Sequence, residues 1–247
     1  MQMIPVLDLL EGVVVRAVGG IRGNYRPVVS QLVEETSALA VARAFRTAFG
    51  LEVLYLADLD AILDQRPNVD AYRGLREDGF QVMVDAGVRS VDDARAVLAA
   101  GATSVVAGLE TIPGPALLGA LCVECGPDCV VFSLDLRRGV PLGELALWET
   151  KDPFEIARRA VELGAGRMIV LDLASVGVGS GISTRDLCLR IRRAYPELEL
   201  TTGGGVRQTD DLRWLSDAGI DGVLVASALH DGRITRRDIE SLRVVEG

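Results

Sequence analysis

The feature that most constrains this chain is an internal repeat. Leu7-Asp8-Leu9-Leu10-Glu11-Gly12-Val13 is matched by Leu134-Asp135-Leu136-Arg137-Arg138-Gly139-Val140. Gly87-Val88-Arg89-Ser90-Val91-Asp92-Asp93 is matched by Gly205-Val206-Arg207-Gln208-Thr209-Asp210-Asp211, and Ala100-Gly101 by Ala218-Gly219. The period is about half of the 247 residues, so the fold must consist of two similar halves.

Each half alternates short apolar runs with amphipathic helical segments. Strands are expected near Met3–Leu9, Val53–Leu59, Gln81–Asp85, Ser104–Ala107, Val130–Leu136, Arg167–Leu173, Glu199–Thr202 and Gly222–Ala226. Helices are expected near Leu39–Phe49, Val69–Asp78, Val91–Ala100, Pro115–Cys122, Pro153–Leu163, Thr184–Tyr195, Thr209–Ala218 and Arg236–Leu242. Asp152-Pro153 is a helix start with Pro at the first helical position, and Ser90-Val91-Asp92-Asp93 places carboxylates in a first turn. Gly164 and Gly219 sit where a left-handed C-cap is needed. Eight β–α pairs without a linker form either a closed barrel or an open doubly wound sheet. Two four-unit halves close into an eight-stranded barrel, whereas an open sheet has no reason to repeat at this length. The expected architecture is therefore one (β/α) TIM barrel domain over 1–247, with half-barrels of about 1–125 and 126–247.

Apolar residues are 49% and aromatics only 4%, so the core must be built from Val, Leu, Ile and Ala, as suits parallel strands buried on both faces. A formal charge of −9 argues against nucleic acid or an anionic membrane as partner. It leaves room for an anionic small substrate, because a local site can oppose the global sign. No apolar run reaches the roughly 18 residues of a membrane span, and the start, Met1 to Asp8, lacks a basic signal-peptide region. The expectation is a cytoplasmic protein, a monomer or weak homo-oligomer.

Asp8 and Asp135 fall at repeat-equivalent places, at the C-terminal ends of the first and fifth strands and so on opposite sides of the mouth. Each interrupts a buried apolar run with a carboxylate. Two carboxylates facing one pocket divide acid and base roles when their surroundings separate their pKa values; an aspartate there otherwise caps a loop.

Glycine-rich turns follow the last strands: Gly177-Val178-Gly179-Ser180-Gly181, then Gly203-Gly204-Gly205, then Ala226-Ser227. Their backbone N–H groups suit a phosphate, and loops after the seventh and eighth barrel strands often hold one. Asp85-Ala86-Gly87 and Ala107-Gly108-Leu109 form a thinner counterpart in the first half. The loop Gly19 to Arg26 reads equally as a lid over an anionic substrate or as a solvated loop. Trp148 is placed either to stack on a substrate ring or to pack on the rim. Cys122, Cys125 and Cys129 have metal-like spacing but lie at the opposite barrel face without a nearby fourth ligand, so no metal is expected. His230, the single histidine, is too isolated for a nucleophile–base or metal constellation.

At these residues the chain resembles the histidine-biosynthesis barrels, the ProFAR (phosphoribosylformimino-AICAR-phosphate) isomerase HisA and the cyclase HisF. The resemblance rests on Ile4-Pro5-Val6-Leu7-Asp8-Leu9 with Gly12 to Arg16, Tyr55 to Ala61, Ser133-Leu134-Asp135, Thr202 to Val206 and Val225 to Leu229, and it spans the whole chain. Trp148 tilts it toward the isomerase. The resemblance implies an Amadori rearrangement of an aminoaldose to an aminoketose without a cofactor, with Asp8 as base and Asp135 as acid. It also implies a substrate-contacting set of Arg16, Gly87, Gly108, Trp148, Gly177, Gly204, Gly205, Ala226 and Ser227. The pattern departs at Leu171 (Thr in the family), Val176 (Asp), Asp85-Ala86 (Gly-Gly) and Leu109 (Thr or Ser). Three readings stay open: a phosphosugar isomerase of the ProFAR type, a divergent relative acting on another phosphorylated metabolite, as in methanopterin-linked one-carbon metabolism, or a non-catalytic phosphometabolite-binding barrel.

Overall fold

Successive residues of a strand face opposite ways, and here that alternation separates two apolar layers. Ile4, Tyr55, Met83, Val106, Val131, Ile169 and Leu224 point inward and fill the barrel. Their neighbours Met3, Leu54, Val82, Val105, Phe132, Val170 and Val223 point outward, beneath the helices. Each fully buried aliphatic side chain contributes roughly 1.5–3 kcal/mol, so reversing any strand's register would expose one layer.

The computed structural model describes residues 1–179 and 181–243; Ser180 of the glycine loop and residues 244–247 lie outside them. The barrel strands are β1 (Gln2–Leu10), β2 (Val53–Asp58), β3 (Gln81–Asp85), β4 (Ser104–Gly108), β5 (Val130–Arg137), β6 (Arg167–Asp172), β7 (Glu199–Gly203) and β8 (Gly222–Val225). Neighbours pair in parallel around the ring, and β8 closes on β1 through Gln2↔Gly222 to Pro5↔Val225. The outer helices are α1 (Ala38–Phe49), α2 (Val69–Glu77), α3 (Val91–Ala99), α4 (Pro115–Cys125), α5 (Pro153–Glu162), α6 (Arg185–Ala194), α7 (Thr209–Asp217) and α8 (Arg236–Arg243). The expected eight-stranded barrel and all sixteen expected elements are present, with ends moved by up to three residues. No helix among the described residues is long and apolar enough to cross a membrane.

The structure adds a two-fold related device beyond the sixteen expected elements. β1 and β5 each run into a short antiparallel hairpin, with Leu10 opposite Val13 and Arg137 opposite Val140. The turn residues Glu11 and Gly12 have φ of 52° and 76°, and Arg138 and Gly139 have 53° and 78°. Two successive positive φ values are the signature of a tight I′ turn. Each turn is held by an aspartate from the following unit: Glu11 N–H donates to Asp60, and Arg138 and Gly139 N–H donate to Asp172.

Candidate active site

The C-terminal ends of the strands enclose a cavity of about 280 Å³. The inward alternation that puts Ile4 and Val131 in the barrel carries forward to Asp8 on β1 and Asp135 on β5, and both carboxylates line the cavity. The same alternation brings in Tyr55, which the motifs did not single out, and Asp85, expected there only as part of the thinner first-half turn. Tyr55 continues the inward series of β2, and Asp85 that of β3 after Met83. The period-two signal for both is present in the sequence.

Asp135 is 7% exposed. The Ser133 hydroxyl donates to its Oδ1 at 2.7 Å and Glu110 N–H to its Oδ2 at 3.3 Å. Burial, then the neighbouring Asp85 charge, raise its pKa to about 7, against those two bonds. Asp8 is half-buried, and desolvation alone raises it to about 7. Both carboxyls are therefore poised to exchange a proton near neutral pH; their values coincide, so the division into acid and base does not come from the separation of pKa values expected from the sequence.

Tyr55 Oη donates to Asp85 Oδ2 at 3.2 Å. Burial, followed by the charges of Asp85, Asp135 and Asp8, holds this phenol well above its usual range, so it stays protonated. Gly108 gives the side chains at the centre of this cluster their room. A Cβ there would meet Asp135 Oδ2 at 3.1 Å and Thr111 Oγ1 at 3.4 Å.

On the second-half side Gly177, Gly204, Gly205, Ala226 and Ser227 line the cavity, as do Arg16 and Arg233. A Cβ on Gly177 would overlap the carbonyl oxygen of Ala17, so only glycine lets these two loops meet. Arg16 binds Asp231 through two 2.9 Å bonds, and Arg233 reaches the same carboxylate at 3.1 Å. Two guanidinium groups share one carboxylate, leaving net positive charge beside the glycine turns. Ser227 opens the short helix Ser227–His230, whose first N–H groups have no intrahelical acceptor.

Three expectations need correction. Gly87 does not reach the mouth: its N–H donates to Asp85 Oδ1 at 3.1 Å, and its bare Cα is needed because a Cβ would lie 2.9 Å from Ile62 Cα. Trp148 is 1% exposed and packs at 5.6 Å on Phe132, in the layer between barrel and helices rather than in the cavity. Leu109 is fully buried in that same layer, and the hydroxyl at this rim comes from Thr111. The departures Leu171 and Val176 do line the cavity. The loop after β1 reaches the mouth at Gly20 and Tyr25, tied down by Gly19 N–H to Val176 O at 2.8 Å.

His230 lines the same cavity with its ring 4.9 Å from Phe45 and Nδ1 2.9 Å from Ser30 Oγ. Burial pushes its pKa down to about 4. Cys122 is buried and Cys125 and Cys129 half-buried, all as free thiols. No group of three or more metal-ligating side chains occurs among the described residues.

Fold and cavity together define a (β/α)8 barrel whose mouth holds paired carboxylates of raised pKa opposite a glycine-rich, positively charged rim. The family model described as histidine biosynthesis protein matches residues 2–235, and the chain belongs to that family. It is 31% identical to the 1-(5-phosphoribosyl)-5-((5-phosphoribosylamino)methylideneamino)imidazole-4-carboxamide isomerase of Methanosarcina acetivorans, with 98% of each chain covered. It is 33% identical to the protein of the same name from Deinococcus radiodurans, over 94% of this chain and 95% of that one. The Thermus thermophilus protein of that name is 28% identical, over 96% and 98%.

Proposed function

We propose that this protein is an aldose–ketose isomerase of the ProFAR isomerase type, a cytoplasmic enzyme that rearranges an N-linked ribosyl phosphate to the aminoketose. The observation that carries this reading is the pair Asp8 and Asp135, on opposite strands of one cavity, each with a pKa raised to about 7. The relatives' printed name supplies the substrate class.

Protonated Asp135 gives its proton to the ribose ring oxygen, the C1–O bond breaks, and its electrons remain on that oxygen as C1 becomes an imine carbon. Ionised Asp8 takes the proton from C2, and the electron pair passes through C1 to nitrogen, giving an enolamine. Return of a proton to C1 and loss of the C2 hydroxyl proton leave the ketose. C1 is reduced and C2 oxidised by the same electron pair, so the step balances without an external oxidant or reductant. The substrate phosphate rests against the turns at Gly177, Gly204, Gly205 and Ser227, with Arg16 and Arg233 supplying the opposing charge.

The test is incubation of the purified protein with ProFAR at millimolar concentration, with chromatographic separation of aldose and ketose. Accumulation of the ketose supports the reading. Unchanged aldose, with calorimetry showing ProFAR itself bound at that concentration, refutes it in favour of a non-catalytic binding barrel.

A further inference from the structure

We propose that Asp85 is a specificity-determining residue that closes the first-half end of the cavity to a second phosphate, so that the preferred substrate carries one phosphate, with an uncharged or cationic group at its other end. This deepens the isomerase reading and rests on it.

The two-fold repeat makes the inference possible, because each half supplies the control for the other. The repeat aligns Asp85-Ala86-Gly87 with Gly203-Gly204-Gly205, and Gly108-Leu109 with Ala226-Ser227. In the second half Gly204, Gly205, Ala226 and Ser227 all line the cavity. In the first half only Asp85 and Gly108 of the aligned residues do so.

Each anion-binding element of that first-half cradle is already engaged within the protein. The Gly87 N–H points at Asp85 Oδ1. Arg89, the nearest guanidinium on this turn, donates to Gly87 O and Ile62 O at 2.9 Å each, on the far side of the loop. The Tyr55 hydroxyl donates to Asp85 Oδ2, and the Thr111 hydroxyl at this rim donates to Gly108 O at 3.2 Å. Leu109 stands in the buried layer where the second half has Ser227 at the mouth. The Asp85 carboxylate thus occupies the place an incoming anion would need and adds a like charge beside it, with Glu110 also lining this end. At the other end Arg16 and Arg233 face the glycine turns, and Arg137, past Asp135 on β5, lines the wall between and reaches Gly20 O at 3.4 Å. The cavity is polarised, anionic at one end and cationic at the other. A ligand that matches it has its phosphate at the second-half end and an amine, amide or hydroxyl as hydrogen-bond donor toward Asp85.

The test is a calorimetric comparison of ProFAR, whose printed chemical name contains two phosphoribosyl groups, with ribose 5-phosphate, which carries one phosphate. The native protein is expected to bind ProFAR less than about tenfold more tightly than ribose 5-phosphate. Asp85→Asn, which removes the charge and keeps the shape, and Asp85→Gly, which restores the second-half pattern, are each expected to raise that ratio tenfold or more. A native preference for ProFAR of a hundredfold or more, or a ratio that neither variant moves, overturns the proposal. These are affinities, so they judge Asp85 separately from catalysis: absence of ketose product would refute the isomerase reading and leave the ratio to decide the role of Asp85.

Discussion

Ser133 Oγ lies 2.7 Å from Asp135 Oδ1, two residues earlier on the same strand and on the same inward face. A hydroxyl that donates to a carboxylate stabilises the charged form and so opposes the upward pull of burial. Removing it in Ser133→Ala should raise the Asp135 pKa further. If Asp135 is the acid, the alkaline limb of the kcat/KM profile should move up, by as much as about one unit, which corresponds to about 1.4 kcal/mol. The acid limb, set by Asp8, should stay in place. An alkaline limb that falls or does not move would contradict the assignment of Asp135 as acid.

The raised pKa of Asp135 also costs stability. Its folded-state value of about 7 lies above the ordinary 3.8, so the folded protein holds a proton that the unfolded chain releases. Stability therefore falls as pH rises from about 4 to 7 and is level beyond, with a loss of about 4 kcal/mol for a shift of this size. Asp135→Asn removes that loss but puts an amide nitrogen in place of one of the two accepting oxygens, at about 1 kcal/mol. Above pH 8 the variant should be about 2–3 kcal/mol more stable than the native protein in urea unfolding, and the gap should close below pH 4. A variant less stable at pH 8 would show that the carboxylate is not strained by burial.

Asp172 holds a turn through its hydrogen bonds. It is 2% exposed and accepts N–H groups from Arg138, Gly139 and Ala174 at 2.9–3.0 Å. Asp172→Ala strands these donors around a small void and should cost about 2–4 kcal/mol. A loss below about 0.5 kcal/mol in denaturant unfolding would show that the hairpin turn does not depend on this clamp.

This clamp shows how far the sequence was legible. The pairing of Leu7 to Val13 with Leu134 to Val140 was visible as letters, and it correctly implied two halves. Its physical content, a I′ turn gripped by Asp60 or Asp172, was not, because the gripping residues lie 49 and 33–34 positions away. Asp8 and Asp135 were legible because a carboxylate at the end of an apolar run is conspicuous. Gly87 and Trp148 misled for one reason: residue type shows what a side chain can do, whereas the face it occupies depends on packing against Ile62 or Phe132. Tyr55 was missed because a tyrosine in an apolar strand reads as core, and its ring does fill the barrel, with only the hydroxyl entering the site.

His230 offers a clean spectroscopic check, since the sequence contains one histidine. Buried against Phe45, its imidazole should titrate at about 4 instead of 6.5. Because the folded value is depressed, the associated stability is present above pH 6.5 and is lost as pH falls toward 4. Proton NMR of the ring should show a neutral imidazole at pH 5.5. A midpoint near 6.5 would mean that the ring is solvated and that the short helix at Ser227 is packed differently.

The joint action of Asp8 and Asp135 as base and acid on one bound substrate is the core of the proposed mechanism. Its most direct test is the turnover of ProFAR, at saturating concentration, by Asp8→Asn, Asp135→Asn and the double variant. Each single variant should lose about a hundredfold or more in kcat, as expected for a lost acid–base group. The double variant should fall no more than about tenfold below the worse single, because groups acting as a unit are not additive. Either single variant within threefold of the native kcat would contradict the account.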